Sequence, residues 1–194
     1  MPITSESIFD ADITLNFMHI IEKLKQLKRQ GWLDHRISSE SCESVSDHSY
    51  RMAMMCFTMG PADCDQFKLL KMCLVHDLAE ALAGDITPEA ISGVTVADKH
   101  DLERESLQKI VKDLPKGTQD EMITLWSEYD AGESYISKIA KQFDKLEMMV
   151  QALEYKKRGL GIELDSFMGV DEAIMTHEPC AKLYRRIKEL WKSA

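Results

Sequence analysis

His76, Asp77 and Glu80 fall within one helical turn of an otherwise apolar stretch, Lys71 to Ala83, that Gly84 closes. An imidazole and two carboxylates can bind a metal ion or carry protons, and a plain hydrophobic core has no use for them. On a helix Glu80 lies beside both His76 and Asp77. Adjacent side chains diverge by roughly 100°, so His76 and Asp77 can share an ion only if it sits between them. Such an ion needs further ligands from elsewhere in the chain.

Two residues outside this stretch are candidates. His48 stands in Glu43-Ser44-Val45-Ser46-Asp47-His48-Ser49-Tyr50, and Asp144 in Lys141-Gln142-Phe143-Asp144-Lys145. Alone, His48 reads as a helix-end histidine, with Asp47 favouring the helix N-terminus. Asp144 reads as a carboxylate at the margin of an apolar stripe, paired with Lys141 or Lys145. Together, two imidazoles and two carboxylates suit Mn²⁺, Fe²⁺, Co²⁺ or Zn²⁺, with Mg²⁺ and Ca²⁺ less natural partners for imidazole. Composition alone does not separate that reading from scattered polar residues.

The elements that must position these residues are helical. A helix capped by Asp12 carries Ile13, Phe17, Ile20, Ile21, Leu24 and Leu27 at helical spacing and ends near Gly31. A connecting loop is expected from Trp32 to Cys42. A second helix runs from Ser46 to Met59, with Tyr50, Ala53, Met54 and Phe57 as its buried stripe, until Gly60-Pro61 breaks it. A third, from Asp65 to Ala83, carries the opening motif. A fourth spans Val96 to Leu114. Thr118 with Glu121 reads as the capping box of a fifth, ending at Tyr129. The longest runs from Glu133 to Arg158, and a final one covers 171–192, with an interruption possible at Pro179. No convincing strand, repeat or low-complexity tract appears. The expectation is an all-α bundle of roughly six to eight helices forming a single domain over 1–194, with its core at 10–160 and the C-terminal helix packed on it.

With 44% hydrophobic residues the chain can bury a proper core. Its 24 basic and 33 acidic residues leave a formal charge of -9, which argues against nucleic acid polymers and anionic membranes as partners. An anionic small molecule remains compatible, because a bound divalent cation reverses the local field. Five cysteines without a C-x-x-C pair point to a reducing compartment. Met1 to Asp12 is polar and acidic, unlike a signal peptide, and no apolar run approaches a membrane span. The expected location is cytoplasmic, with nuclear presence compatible. The apolar surface of the outer helices suits a homodimer.

Several of these motifs occur together, in order, in a known family. Gly31-Trp32 with Arg36, the Glu43-to-His48 block followed by Tyr50-Arg51-Met52-Ala53, His76-Asp77-Leu78-Ala79-Glu80 through Gly84-Asp85-Ile86-Thr87-Pro88, and Lys141 to Lys145 resemble the HD-domain metal-dependent phosphohydrolases. The resemblance covers roughly residues 10–160 and lies nearest the 5′-deoxynucleotidases of that family. It implies that His48, His76, Asp77 and Asp144 hold a divalent cation (Mn²⁺, Co²⁺, Fe²⁺, Zn²⁺ or Mg²⁺). It implies Glu80 and Asp85 as catalytic carboxylates, or as holders of a second ion with the Ile86 carbonyl. The substrate would be a 2′-deoxynucleoside 5′-monophosphate, bordered by Trp32, Arg36, Asp77, Asp85, Ile86, Thr87, Pro88 and Asp144. Trp32 reads equally as an apolar plug after the first helix. Some bacterial relatives carry a phosphate-binding Arg where this chain has Gly31, so Arg29, Arg36 or Arg51 must serve. Diiron members need two extra histidines between the HD pair and the last Asp, and only His100 lies there. Hydrolysis of another small phosphate ester or alarmone, or a nucleotide-binding scaffold without turnover, are the competing expectations.

Overall fold

Apolar residues at helical spacing, closed by polar caps and glycine stops, produce helices almost throughout the computed structural model, which describes residues 9–87 and 92–194. Helix α1 spans Ala11–Gln26 and α2 Gln30–Asp34; α3 spans Val45–Met59, α4 Gln66–Val75 and α5 Glu80–Ala83. Then come α6 (Val96–Val111), α7 (Lys116–Ala131), α8 (Tyr135–Lys157) and α9 (Glu178–Ser193), with short 3-10 turns at Leu164–Met168 and Glu172–Ile174. Among the described residues there is no strand, only an isolated antiparallel bridge between Lys28 and Ser44. The all-α expectation holds.

Helix α8 is the axis. Its Ile139, Ala140, Phe143, Leu146, Met149 and Ala152 are buried along one side, and α3, α4, α7 and α9 pack around it. Helix α3 packs on α4, while α1, α5 and α6 close the remaining side.

Local chemistry moved several expected boundaries. Asp10, not Asp12, caps α1, its carboxylate accepting from the backbone N–H groups of Asp12 and Ile13. The chain leaves that helix at Leu27, because residues 27–29 run extended against 43–45: Val45 N donates to Leu27 O at 2.9 Å, and Arg29 N to Glu43 O at 3.2 Å. The expected loop after Trp32 is therefore partly helix α2, whose N-terminus sits on that ribbon. Ser44 and Asp47 form the capping box of α3, so Asp47 is spent on the cap. The Thr118–Glu121 box does not form; α7 starts at Lys116, and the Glu121 carboxylate pairs with Lys71. Pro179 does not interrupt α9 but opens it, where its missing N–H costs nothing.

The buried stripe of α3 is not the one expected. Tyr50, Met54 and Phe57 are exposed, and of the four only Ala53 is inside. The inward face is Val45, His48, Ser49, Met52 and Cys56. Both faces are apolar enough to mimic a core stripe, and the correct one contains the histidine.

Candidate metal and catalytic site

The expected continuous helix through the chemistry-bearing turn is broken there. Helix α4 stops at Val75, and the next bonds close tighter, three-residue turns: Leu78 N to Val75 O at 3.0 Å, Glu80 N to Asp77 O at 3.1 Å and Ala81 N to Leu78 O at 3.2 Å. This brings His76 Nε2 to 3.0 Å from Asp77 Oδ2. The other ring nitrogen, Nδ1, lies 2.9 Å from the Cys73 carbonyl oxygen. A carbonyl only accepts, so Nδ1 carries a proton, and the neutral ring has its lone pair on Nε2. Gly84, at φ +81°, ends α5 in a conformation that side-chain-bearing residues avoid and turns Asp85 toward the same opening.

His48 approaches from α3. Its Nε2 is 3.4 Å from Asp144 Oδ1 and 3.8 Å from Asp77 Oδ2, while its Nδ1 is 2.5 Å from Glu147 Oε2. Asp144, from α8, also accepts from the Tyr129 hydroxyl at 3.2 Å. Ligand atoms of His48, His76 and Asp144 lie within 4.8 Å of one another. His48 Nε2, His76 Nε2 and Glu80 Oε2 are the buried side-chain atoms left without a hydrogen-bond partner among the described residues, and all three residues belong to this one region. Unpaired buried polar atoms are costly and rare. Two free imidazole nitrogens facing two carboxylates form a donor set that fits a divalent cation.

Charge interactions sort the acids into two kinds. Burial alone would raise the Asp77 carboxyl, but His76, Arg29 and His48 outweigh it and hold it well below the usual range. Asp144 is likewise held low against burial, by Lys145 and His48. Both stay anionic. Glu80 goes the other way: burial, then the neighbouring Asp77 and Asp85 charges, push it well above the carboxylate range. For His48, burial and Arg29 favour the neutral ring, yet the adjoining Asp144 and Glu147 carboxylates win and raise it to about 9, so a cation taken up at Nε2 would displace a proton. The arrangement thus pairs two ionised carboxylates, Asp77 and Asp144, with one proton-holding carboxyl, Glu80.

An HD-domain profile matches residues 21–183. The chain belongs to the HD-domain family. It is 36% identical over 179 residues to the 5′-deoxynucleotidase HDDC2 of Danio rerio, covering 92% of this chain and 88% of that protein. It is 41% identical over 152 residues to the 5′-deoxynucleotidase HDDC2 of Dictyostelium discoideum, covering 74% and 78%. Among solved structures, a Pyrococcus horikoshii protein superposes with a TM-score of 0.72 at 28% identity, covering 93% of this chain and 99% of that one.

Around the ligand set of this HD domain opens a cleft of about 530 Å³. Trp32, Asp77, Glu80, Asp85, Ile86 and Thr87, which the family resemblance set beside a substrate or in catalysis, all line it. Pro88 lies outside the described residues. Arg36 does not line the cleft: it is exposed, at φ +59° in the turn after α2. Arg29 takes the inward position, its NH1 3.1 Å from Asp77 Oδ2. The third arginine considered, Arg51, is committed to Glu147 and Glu154. Asp85 Oδ2 accepts from Gln30 N at 2.7 Å, tying the start of α2 to the turn after α5. Lys99 Nζ donates to the Ile86 carbonyl at 2.8 Å, so an ammonium already satisfies the oxygen expected to serve a second ion. Sequence reasoning missed Glu147, one helical turn beyond Asp144 and detectable by that spacing alone. It also missed Phe167, which reaches the cleft and sits against Trp32 with ring centroids 4.1 Å apart. Nothing in the C-terminal sequence announces that contact.

Proposed function

We propose that this HD domain, taken as one domain over the whole chain, is a metal-dependent 5′-deoxynucleotidase. It would hydrolyse 2′-deoxynucleoside 5′-monophosphates to the deoxynucleoside and phosphate. The observation that carries the reading is that His76 Nε2 and Glu80 Oε2, on the cleft, and His48 Nε2, buried behind its Asp77 and Asp144 carboxylates, are all left unpaired in a chain whose relatives bear that name.

His48, His76, Asp77 and Asp144 are the residues to hold one divalent cation, whose identity among Mn²⁺, Co²⁺, Fe²⁺, Zn²⁺ and Mg²⁺ the donor types leave open. Such an ion, when bound, neutralises phosphate charge and lowers the pKa of water. The protein does the rest by positioning and charge. Arg29, on the cleft beside Asp77, offers N–H donors to phosphate oxygens. Glu80 gives its proton to the departing 5′ oxygen as the P–O bond breaks, and regains one from the attacking water. Asp85 keeps Glu80 proton-holding through its charge and anchors α2. Trp32, packed against Phe167, forms the wall set against the sugar 2′ position.

Two further parts of the proposal have their own support. Exposed Tyr50, Met54 and Phe57 on α3 and Phe67 on α4 favour a homodimer. The five free cysteines favour a reducing, cytoplasmic setting, and no described helix is long and apolar enough to cross a membrane. The deciding experiment is phosphate release from paired deoxy- and ribonucleoside 5′-monophosphates across several divalent metals. Metal-dependent release favouring the deoxy series is expected; no release from any monophosphate with any metal overturns the reading.

A further inference from the structure

Both imidazoles turn Nε2 toward the Asp77 and Asp144 carboxylates of the cleft, but different groups set that orientation. Behind His76 stands a backbone carbonyl, which can only accept. Behind His48 stands Glu147, wholly buried and 2.5 Å away through Oε2. Its second oxygen, Oε1, receives Arg51 Nε at 2.7 Å and Arg51 NH2 at 2.6 Å. The guanidinium is held in turn by Glu154 at 2.9 Å and by the Gln151 side-chain oxygen. His48, Glu147 and Glu43 also come close enough together to suggest an ion site of their own. That space is already served: Arg51 pairs with Glu147 and stands 3.7 Å from Glu43, which also accepts from Trp32 Nε1 at 2.7 Å.

The geometry points to Glu147 as a positioning residue that, with Arg51 behind it, dictates which nitrogen of His48 is free to bind a metal. This rests on the metal-site reading above. A carboxylate facing Nδ1 accepts a hydrogen bond from its N–H, so the lone pair of the neutral ring falls on Nε2, toward Asp77 and Asp144. Arg51 has only donors and claims one Glu147 oxygen. The pair therefore works as a polarity lock: whatever stands at position 147 must offer an acceptor to Arg51 first.

That lock makes a specific and unusual forecast for an isosteric change. In Glu147→Gln the amide oxygen must face Arg51, which leaves the amide NH₂ facing His48 Nδ1. A donor there forces the proton onto Nε2 and aims it at the metal position. Glu147→Gln should bind metal poorly although it keeps size, shape and hydrogen-bonding capacity. Removing the guanidinium as well, in Glu147→Gln/Arg51→Met, lets the amide turn over, present its oxygen to Nδ1 and restore the lone pair to Nε2. A second mutation in a damaged buried network is then a repair.

Mn²⁺ titration calorimetry on the full chain tests this, with thermal unfolding of the metal-free variants alongside. The single variant should lose roughly 10–100-fold in Mn²⁺ affinity, and the double variant should recover most of that loss. A single variant that binds like the parent, or a double variant that binds no better than the single, overturns the role of Glu147. If the parent itself takes up neither Mn²⁺ nor Zn²⁺, the metal-site reading fails instead, which is a distinguishable result. Should the single variant not fold, nitrogen-15 NMR of histidine-labelled, Zn²⁺-loaded parent decides. Protonated Nδ1 with Nε2 on the metal is the expected pattern for His48, and the reverse overturns the proposal.

Discussion

The two walls of the cleft are built by different means. On one side His76, Asp77 and Glu80 come from a single tightened turn, oriented by backbone atoms and terminated by Gly84. On the other, His48 and Asp144 come from α3 and α8 and depend on a relay of side chains. Glu147 and Arg51 lie behind His48, Glu43 accepts from Trp32, and Tyr155 O–H accepts from the Glu43 backbone N–H at 2.8 Å. The local wall keeps an unpaired buried carboxyl oxygen, whereas the relay satisfies its carboxylates. An under-satisfied carboxyl marks chemistry, whereas paired carboxylates contribute stability. Turnover and stability should therefore separate between the two walls.

The largest expected effect is on the local wall. Glu80→Gln should lower phosphate release roughly 10²- to 10⁴-fold while leaving the melting temperature unchanged or raised. Unfolding at lower temperature with turnover retained would break the comparison. On the relay wall, Trp32→Ala should cost about 3–5 kcal/mol in urea unfolding, because the ring is only 2% exposed and packs on Tyr155 and Phe167. Trp32→Phe should keep most of that stability, which makes it the better variant for asking whether this wall tells deoxyribose from ribose.

The smallest effect is a pH dependence of the relay. Burial, then the charge of Glu147, raises the Glu43 carboxyl from 4.5 to about 7. The native state then binds this proton more tightly than the unfolded chain does. Stability of the metal-free protein should accordingly fall as pH rises from about 4.5 to 7, by on the order of 2 kcal/mol from this group. Glu43→Gln should flatten that slope in unfolding curves across the range. An unchanged slope would mean that Arg51 and Trp32 fully compensate the buried charge.

Short-range signals were the legible ones. The Gly84 stop and the helical spacing of the inward α8 residues can be recognised without tertiary contacts. The local wall was legible for the same reason, since His76, Asp77 and Glu80 neighbour one another along the chain. The face of α3 was not: apolar residues occur all around it, and choosing between faces requires knowing that a histidine belongs inside. The inward arginine was undecided among Arg29, Arg36 and Arg51, because the extended ribbon at 27–29 is a pairing with 43–45, distant in sequence.

Residue order by itself determined the all-α class, the Gly84 stop, the three chemical groups of the 76–80 turn and the family motifs that single out His48 and Asp144. Tertiary structure alone decided that α4 breaks at His76, that Arg29 rather than Arg36 faces the cleft, that Lys99 satisfies the Ile86 carbonyl, and that Glu147 and Arg51 stand behind His48. Caps and periodicity are interactions over three or four residues, which a chain encodes locally. The direction of a ring nitrogen depends on a partner 99 positions away, and only packing of α3 against α8 brings it within hydrogen-bonding distance.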